Sequence, residues 1–236
     1  VVPADVVSSN LLICVTPPGS LSPCEIQLRN LVTLESSSIA QFHYVQDMEV
    51  FDILPRNGSI GGGTLITVSG QNFPDTSMFC KIANEDTALA QRISSSEVRC
   101  LTPSALTPGH ADVAISFNGI DFVVCEYKFA YILDAVITSI KPQANMAYSS
   151  PSVTVNGINF MQGRAECRFG SSDLVPAAEV RHSTIVCKAP PMPSGNTTLA
   201  ITFNGIDFFF SPFPLLSSDQ VEDKPTGPDA ALDYST

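Results

Sequence analysis

An internal repeat constrains this chain more than any other feature. Ala114-Ile115-Ser116-Phe117-Asn118-Gly119-Ile120-Asp121-Phe122 returns as Ala200-Ile201-Thr202-Phe203-Asn204-Gly205-Ile206-Asp207-Phe208, eight of nine residues matching at a separation of 86. At a separation of 87, Gly70-Gln71-Asn72-Phe73 returns as Gly157-Ile158-Asn159-Phe160, Cys80 as Cys167, Cys100 as Cys187 and Pro103 as Pro190. Self-similarity at one period marks one structural unit used repeatedly. Two tandem units are expected, over 47–133 and 134–217. A partial copy precedes them. Ser8-Ser9-Asn10-Leu11-Leu12-Ile13-Cys14-Val15-Thr16-Pro17 resembles both Ser94–Pro103 and His182–Pro190, so residues 1–46 read as the back half of a first unit. Residues 218–236 are polar and acidic, with Pro225, Gly227 and Pro228, and read as a linker or disordered tail.

Each unit reads as strands. Thr64-Leu65-Ile66-Thr67-Val68-Ser69 and Ser152-Val153-Thr154-Val155-Asn156 alternate at period two. Asn-Gly between alternating apolar residues predicts a tight hairpin with both turn residues at positive φ. On that reading Val113, Ile115 and Phe117 share a face that Ile120 and Phe122 continue. Charged residues are only 15% of 236, and 18 Pro and 14 Gly punctuate β-branched runs. The expectation is an all-β chain of tandem immunoglobulin-like sandwiches.

The repeats also carry a family likeness. Each opens with Ile-x-Pro, as Ile53-Leu54-Pro55 and Ile140-Lys141-Pro142. The first continues with Gly61-Gly62-Gly63-Thr64 and then Val68-x-Gly70-x-Asn72-Phe73. Two cysteines, a proline and the Asn-Gly segment follow. This order resembles the IPT/TIG domain, an E-set-like immunoglobulin sandwich. The second copy departs from it, with Ala144-Asn145-Met146-Ala147-Tyr148 where the glycine turn belongs. The resemblance implies three settings: extracellular arrays like those of plexins, the hepatocyte growth factor receptor and fibrocystin-type proteins; dimerisation domains of Rel-type transcription factors; and accessory domains of polysaccharide-degrading enzymes. The fold alone does not choose among them.

Cys80 with Cys100 and Cys167 with Cys187 share a separation of twenty, which suggests a disulfide in each unit; buried thiols and zinc are the alternatives. Cys14 takes the place of the second cysteine, while Cys24 and Cys125 have no counterpart. Paired cysteines in small sandwiches point to an oxidising compartment. Two glycosylation triplets, at Asn57 and Asn196, agree with export to the cell surface or beyond.

Catalytic chemistry is not indicated. His43, His110 and His182 occupy different places in their copies, and no nucleophile elbow or metal-ligand spacing occurs. Asp121 and Asp207 recur beside the Asn-Gly segment but supply too few oxygens for calcium, so they read as solvated aspartates. The net charge of −11 opposes nucleic-acid binding, and Arg164, Arg168, Arg181 and Lys188 are interleaved with acids. The apolar stretch 117–140 is broken by charges, so direct membrane insertion is not expected. Val1-Val2-Pro3 is no signal peptide, so the expectation is a segment of a longer protein. Phe208, Phe209, Phe210 and Phe213 are a candidate contact surface. Between the full units, Ile132, Leu133 and Val136 are expected to be buried in a fixed joint. The reading is a non-enzymatic segment without metal or cofactor, acting in adhesion, protein binding or assembly. Its partners would be other proteins or further copies of itself, with glycans possible. The rivals are a carbohydrate-associated module of a secreted enzyme and an intracellular DNA-binding or dimerisation module.

Overall fold

The computed structural model describes residues 1–83 and 87–219, so most of the segment read as a tail lies outside the described residues. Every regular element among them is a strand, and no helix is long and apolar enough to cross a membrane. The chain is all-β, built as tandem immunoglobulin-like sandwiches.

In the first sandwich, Glu49–Leu54, Leu65–Gln71, Glu97–Leu101 and Ala88–Ser94 pair in that order, and the sheet continues through Met78–Ile82, Val113–Ser116 and Val123–Val124. A smaller sheet sets Phe129–Ile132 between Gly109–Ala111 and Asn57–Ser59, the last pairing being parallel. The period-two pattern decides which residues point inward. Ile66 and Val68 are fully buried, together with Ile53, Val98, Val113, Ile115 and Phe129. Cys80 and Cys100 are joined in a disulfide across this core, Cα atoms 6.3 Å apart.

The second sandwich repeats the plan. Val136–Lys141, Ser152–Ile158, Thr184–Lys188 and Glu179–Val180 form one sheet. Val175–Pro176, Glu166–Phe169, Leu199–Thr202 and Phe209–Phe210 form a second. Ala144–Met146 runs parallel to Leu215–Ser218. Cys167 and Cys187 are disulfide-bonded, also with Cα atoms 6.3 Å apart.

Residues before Met48 form two hairpins, Ala4–Ser8 with Leu11–Cys14 and Pro23–Arg29 with Ser36–His43. Their pairing copies the first full sandwich. Cys24 faces Phe42 as Ala111 faces Phe129, and Asp5 faces Ile13 as Gln91 faces Arg99. The Tyr44 hydroxyl donates to the Pro17 carbonyl at 2.6 Å, and the Tyr131 hydroxyl donates to the Pro103 carbonyl at 2.9 Å. Phe42–Tyr44 and Phe129–Tyr131 pair edge to face at 5.1 and 5.0 Å. The apolar side chains of the early hairpins, Val6 and Ile13 among them, remain exposed.

The Asn-Gly segment is not the tight hairpin its sequence predicts. Gly119 and Gly205 have positive φ (74° and 78°), whereas among non-glycine residues the positive-φ asparagines are Asn72 and Asn159. Ile115 pairs with Val123, so the connection is a loop with several residues between the paired positions. Asn118 and Asn204 act through their side chains, closing Asx-type turns instead of adopting left-handed backbone. Ile120 consequently does not continue the core face; it stands at the loop tip, 80% exposed.

Candidate functional site at the joint between the sandwiches

The two loops share one internal construction. Asn204 Oδ1 accepts the backbone N–H groups of Ile206 and Asp207 at 2.9 and 2.8 Å, and Thr202 Oγ1 accepts those of Asn204 and Gly205 at 3.3 and 2.9 Å. In the first copy Asn118 Oδ1 accepts Ile120 and Asp121 N–H at 2.9 Å each, and Ser116 Oγ accepts Asn118 and Gly119 N–H at 3.2 and 2.9 Å. In each, the asparagine Nδ2 donates to the aspartate Oδ2 at 2.8 Å. The carboxylate is therefore held in position by its own loop before it meets anything else.

The second loop reaches back to the first sandwich. Asp207 Oδ2 accepts the Thr64 hydroxyl at 2.8 Å and the Ser59 backbone N–H at 3.2 Å. Asn204 Nδ2 donates to the Asn57 carbonyl at 2.9 Å. Thr64 is fully buried, so its hydroxyl donates to the part-buried Asp207 carboxylate from a position shielded from water, where hydrogen bonds gain strength. Gly58 is the steric condition for this seat. A Cβ there would overlap Thr64 Oγ1 and lie 2.8 Å from both Asp207 Oδ2 and the Phe129 ring. A further bond runs from the Ser59 hydroxyl to Asp134 Oδ1 at 2.6 Å, tying the turn to the segment that leads into the strand Val136–Lys141.

Apolar burial has a smaller share in the joint than the sequence suggests. Ile132 is partly buried and packs against the core of the second sandwich. Leu133 and Val136 remain 47% and 49% exposed, which corrects the expectation that all three are covered. The physical reason is that the poles meet through loops, whose backbone polar groups demand hydrogen-bond partners. A groove of about 610 Å³ runs beside the contact, lined by Leu54, Pro55, Arg56, Asn57, Thr67, Asn204 and Ile206. Arg56 forms an ion pair with Asp52 at 2.8 Å, which raises its pKa, and lies over the Tyr127 ring at 3.7 Å.

Other residues singled out from the sequence lie apart. Asn57 is half-buried at the joint, its Oδ1 enclosed without a hydrogen-bond partner, whereas Asn196 is exposed on the strand Gly195–Thr197. Phe209 and Phe213 pack against the second core, Phe208 lies under the Arg168 guanidinium at 3.7 Å, and Phe210 is 61% exposed. Cys14 and Cys24 are exposed, and Cys125 is buried, which pushes its thiol pKa up. His43, His110 and His182 are exposed and separate, and no cluster of metal-ligating side chains occurs among the described residues. Arg164 and Arg181 pair with Glu166 and Glu179 at 3.0 and 3.1 Å. Sequence reasoning missed the joint residues Gly58, Ser59, Thr64 and Asp134. Asp207 was visible as a repeated aspartate, but its partners across the joint, Thr64 and Ser59, lie more than 140 residues away.

Comparison with known proteins places this architecture. The IPT/TIG domain family matches residues 49–131 and 135–215, more than half of the chain. Plexin-2 of Caenorhabditis briggsae is 27% identical over 181 residues, covering 76% of this chain and 10% of that protein. Human fibrocystin-L is 24% identical over 140 residues, covering 59% of this chain and 3% of that protein. The chain thus spans a tenth or less of these relatives. Among solved structures, the full extracellular region of plexin A4, domains 1 to 10, matches with a TM-score of 0.52 at 15% identity, covering 90% of this chain and 20% of that one, a likeness that bears on the fold.

Proposed function

This chain belongs to the IPT/TIG domain family, and from that premise we propose that it is a non-catalytic segment of a larger extracellular or cell-surface protein. Its work is to space and orient binding surfaces, in adhesion or assembly with other proteins or further copies of itself. The observation that carries this reading is the joint: Asp207 held by Thr64 and Ser59, and Asn204 by the Asn57 carbonyl, make the two sandwiches a semi-rigid rod. Paired sandwiches on a free linker would sample many angles; a contact that uses a buried hydroxyl favours one. Two disulfides, each inside one sandwich, support an oxidising compartment. The sequence similarity to plexin-2 and fibrocystin-L supports the same setting.

Small-angle scattering on the whole chain, unmodified and as Asp207→Ala, tests the reading. The expected result is one narrow interdomain arrangement that broadens in the variant. A broad distribution already present in the unmodified chain overturns the spacer function.

A further inference from the structure

The joint has a second, unoccupied half in the first sandwich. Three side chains of the second sandwich face the joint: Asp134, Asn204 and Asp207. Their counterparts in the first sandwich are Asp47, Asn118 and Asp121. The correspondence extends to local geometry. Asn72 Nδ2 donates to the Asp47 carbonyl at 2.9 Å, and Asn159 Nδ2 donates to the Asp134 carbonyl at 2.9 Å. The loop bonds of Asn118 and Asp121 match those of Asn204 and Asp207 to within about 0.1 Å. Yet Asp47, Asn118 and Asp121 are exposed, and Ile120 is 80% exposed where its counterpart Ile206 is 44% exposed.

We infer that Asp47, Asn118 and Asp121 form a docking surface for the glycine-bearing turn of another IPT/TIG sandwich, joined ahead of residue 47. The occupant is specified by the seat already seen. It offers a backbone carbonyl, a glycine whose missing Cβ admits the carboxylate, a hydroxyl on the next residue, and a buried hydroxyl five residues later, as Asn57, Gly58, Ser59 and Thr64 do. No turn in the described residues is free to fill this role. The turn at 57–64 already holds Asp207. Its counterpart in the second sandwich has Asn145 for Gly58, Met146 for Ser59 and Pro151 for Thr64, which fills the cleft and removes both hydroxyls. The second sandwich therefore carries the loop without the receiver, and the first carries both. Residues 4–43 repeat the registers of a sandwich's later strands and run into Asp47 through Tyr44-Val45-Gln46, as Tyr131-Ile132-Leu133 run into Asp134. A receiving turn of that sandwich would stand where Asp121 points.

The inference rests on the spacer reading above, and one experiment separates the two. The whole chain is prepared with residues 47–133 inserted once more after Gln46, which places a known receiver ahead of Asp47 with the linker length kept. Spin labels attached through non-natural residues replace Leu89 in both copies, a site 76% exposed on a strand face. The expected result is one narrow distance peak that broadens when Asp121→Ala is made in the downstream copy and is unchanged when it is made in the upstream copy. A broad distribution before substitution, or one insensitive to the downstream change, overturns the inference. Labels at Leu89 of the downstream copy and at Asp173 report the Asp207 joint in the same molecule. A narrow peak there with a broad one between the copies removes only this inference, and a broad peak there removes the spacer reading as well.

Discussion

Asp207 accepts a hydrogen bond from the Thr64 hydroxyl at 2.8 Å, across 143 residues and between two sandwiches. Thr64 is fully buried, and its backbone N–H is held by the Thr102 hydroxyl at 3.1 Å. The donor is thus fixed by the first sandwich and the acceptor by the Asn204 loop. Thr64→Val keeps the shape and removes one of three donors to Asp207 Oδ2, leaving the Ser59 N–H and Asn204 Nδ2, so the loss is that of one hydrogen bond, about 0.5–1.5 kcal/mol. The variant is expected to open the joint while each sandwich unfolds near its usual temperature, as read by scattering together with calorimetry.

Gly58→Ala should act more strongly than Thr64→Val. The added methyl meets Thr64 Oγ1, Asp207 Oδ2 and the Phe129 ring together, and Phe129 belongs to the first core. Amide exchange is expected to show faster exchange at Ser59 and lower stability of the first sandwich only, by about 1–3 kcal/mol. A second sandwich equally destabilised would contradict this.

Ile132 and Leu133 are adjacent but not equivalent. Ile132 packs against the second core, and Leu133 is 47% exposed. Ile132→Ser should loosen the joint and cost roughly 1–2 kcal/mol for the lost apolar burial. Leu133→Ser should change neither interdomain distance nor melting temperature measurably.

The disulfides each close a separation of twenty residues, for which loop entropy gives about 3 kcal/mol per bridge. Mass mapping of a non-reduced digest should recover Cys80 with Cys100 and Cys167 with Cys187. Reduction should lower the melting temperature of both sandwiches, and crossed pairs between them would contradict the structure.

Cys125 should resist alkylation in the native protein while Cys14 and Cys24 react, because it is buried and they are exposed. Burial raises its folded pKa above the unfolded value. Its contribution to stability is therefore complete below the unfolded thiol pKa, near 8.5, and is lost as pH rises through the folded value. Denaturation of Cys125→Ser alongside the parent should show a smaller alkaline loss in the variant.

The sequence by itself determined the repeat, the all-β class and the identity of the core. These depend on local periodicity and on residues recurring in register: Ile66 and Val68 alternate inward because strand geometry allows nothing else, and Cys80–Cys100 and Cys167–Cys187 hold the same place in each copy. The tertiary structure alone decided the joint. Asp121 and Asp207 sit in nine-residue blocks that match at eight positions and in loops of nearly the same geometry, yet one is exposed and the other seated on Thr64. Gly58 looked like part of a glycosylation triplet, and its value as empty space exists only once Phe129, Thr64 and Asp207 surround it. The backbone of Asn118 and Asn204 followed the same rule. An asparagine can form a turn by left-handed φ or by its side-chain oxygen, and the length of the loop between paired strands, fixed by the sandwich, selected the second.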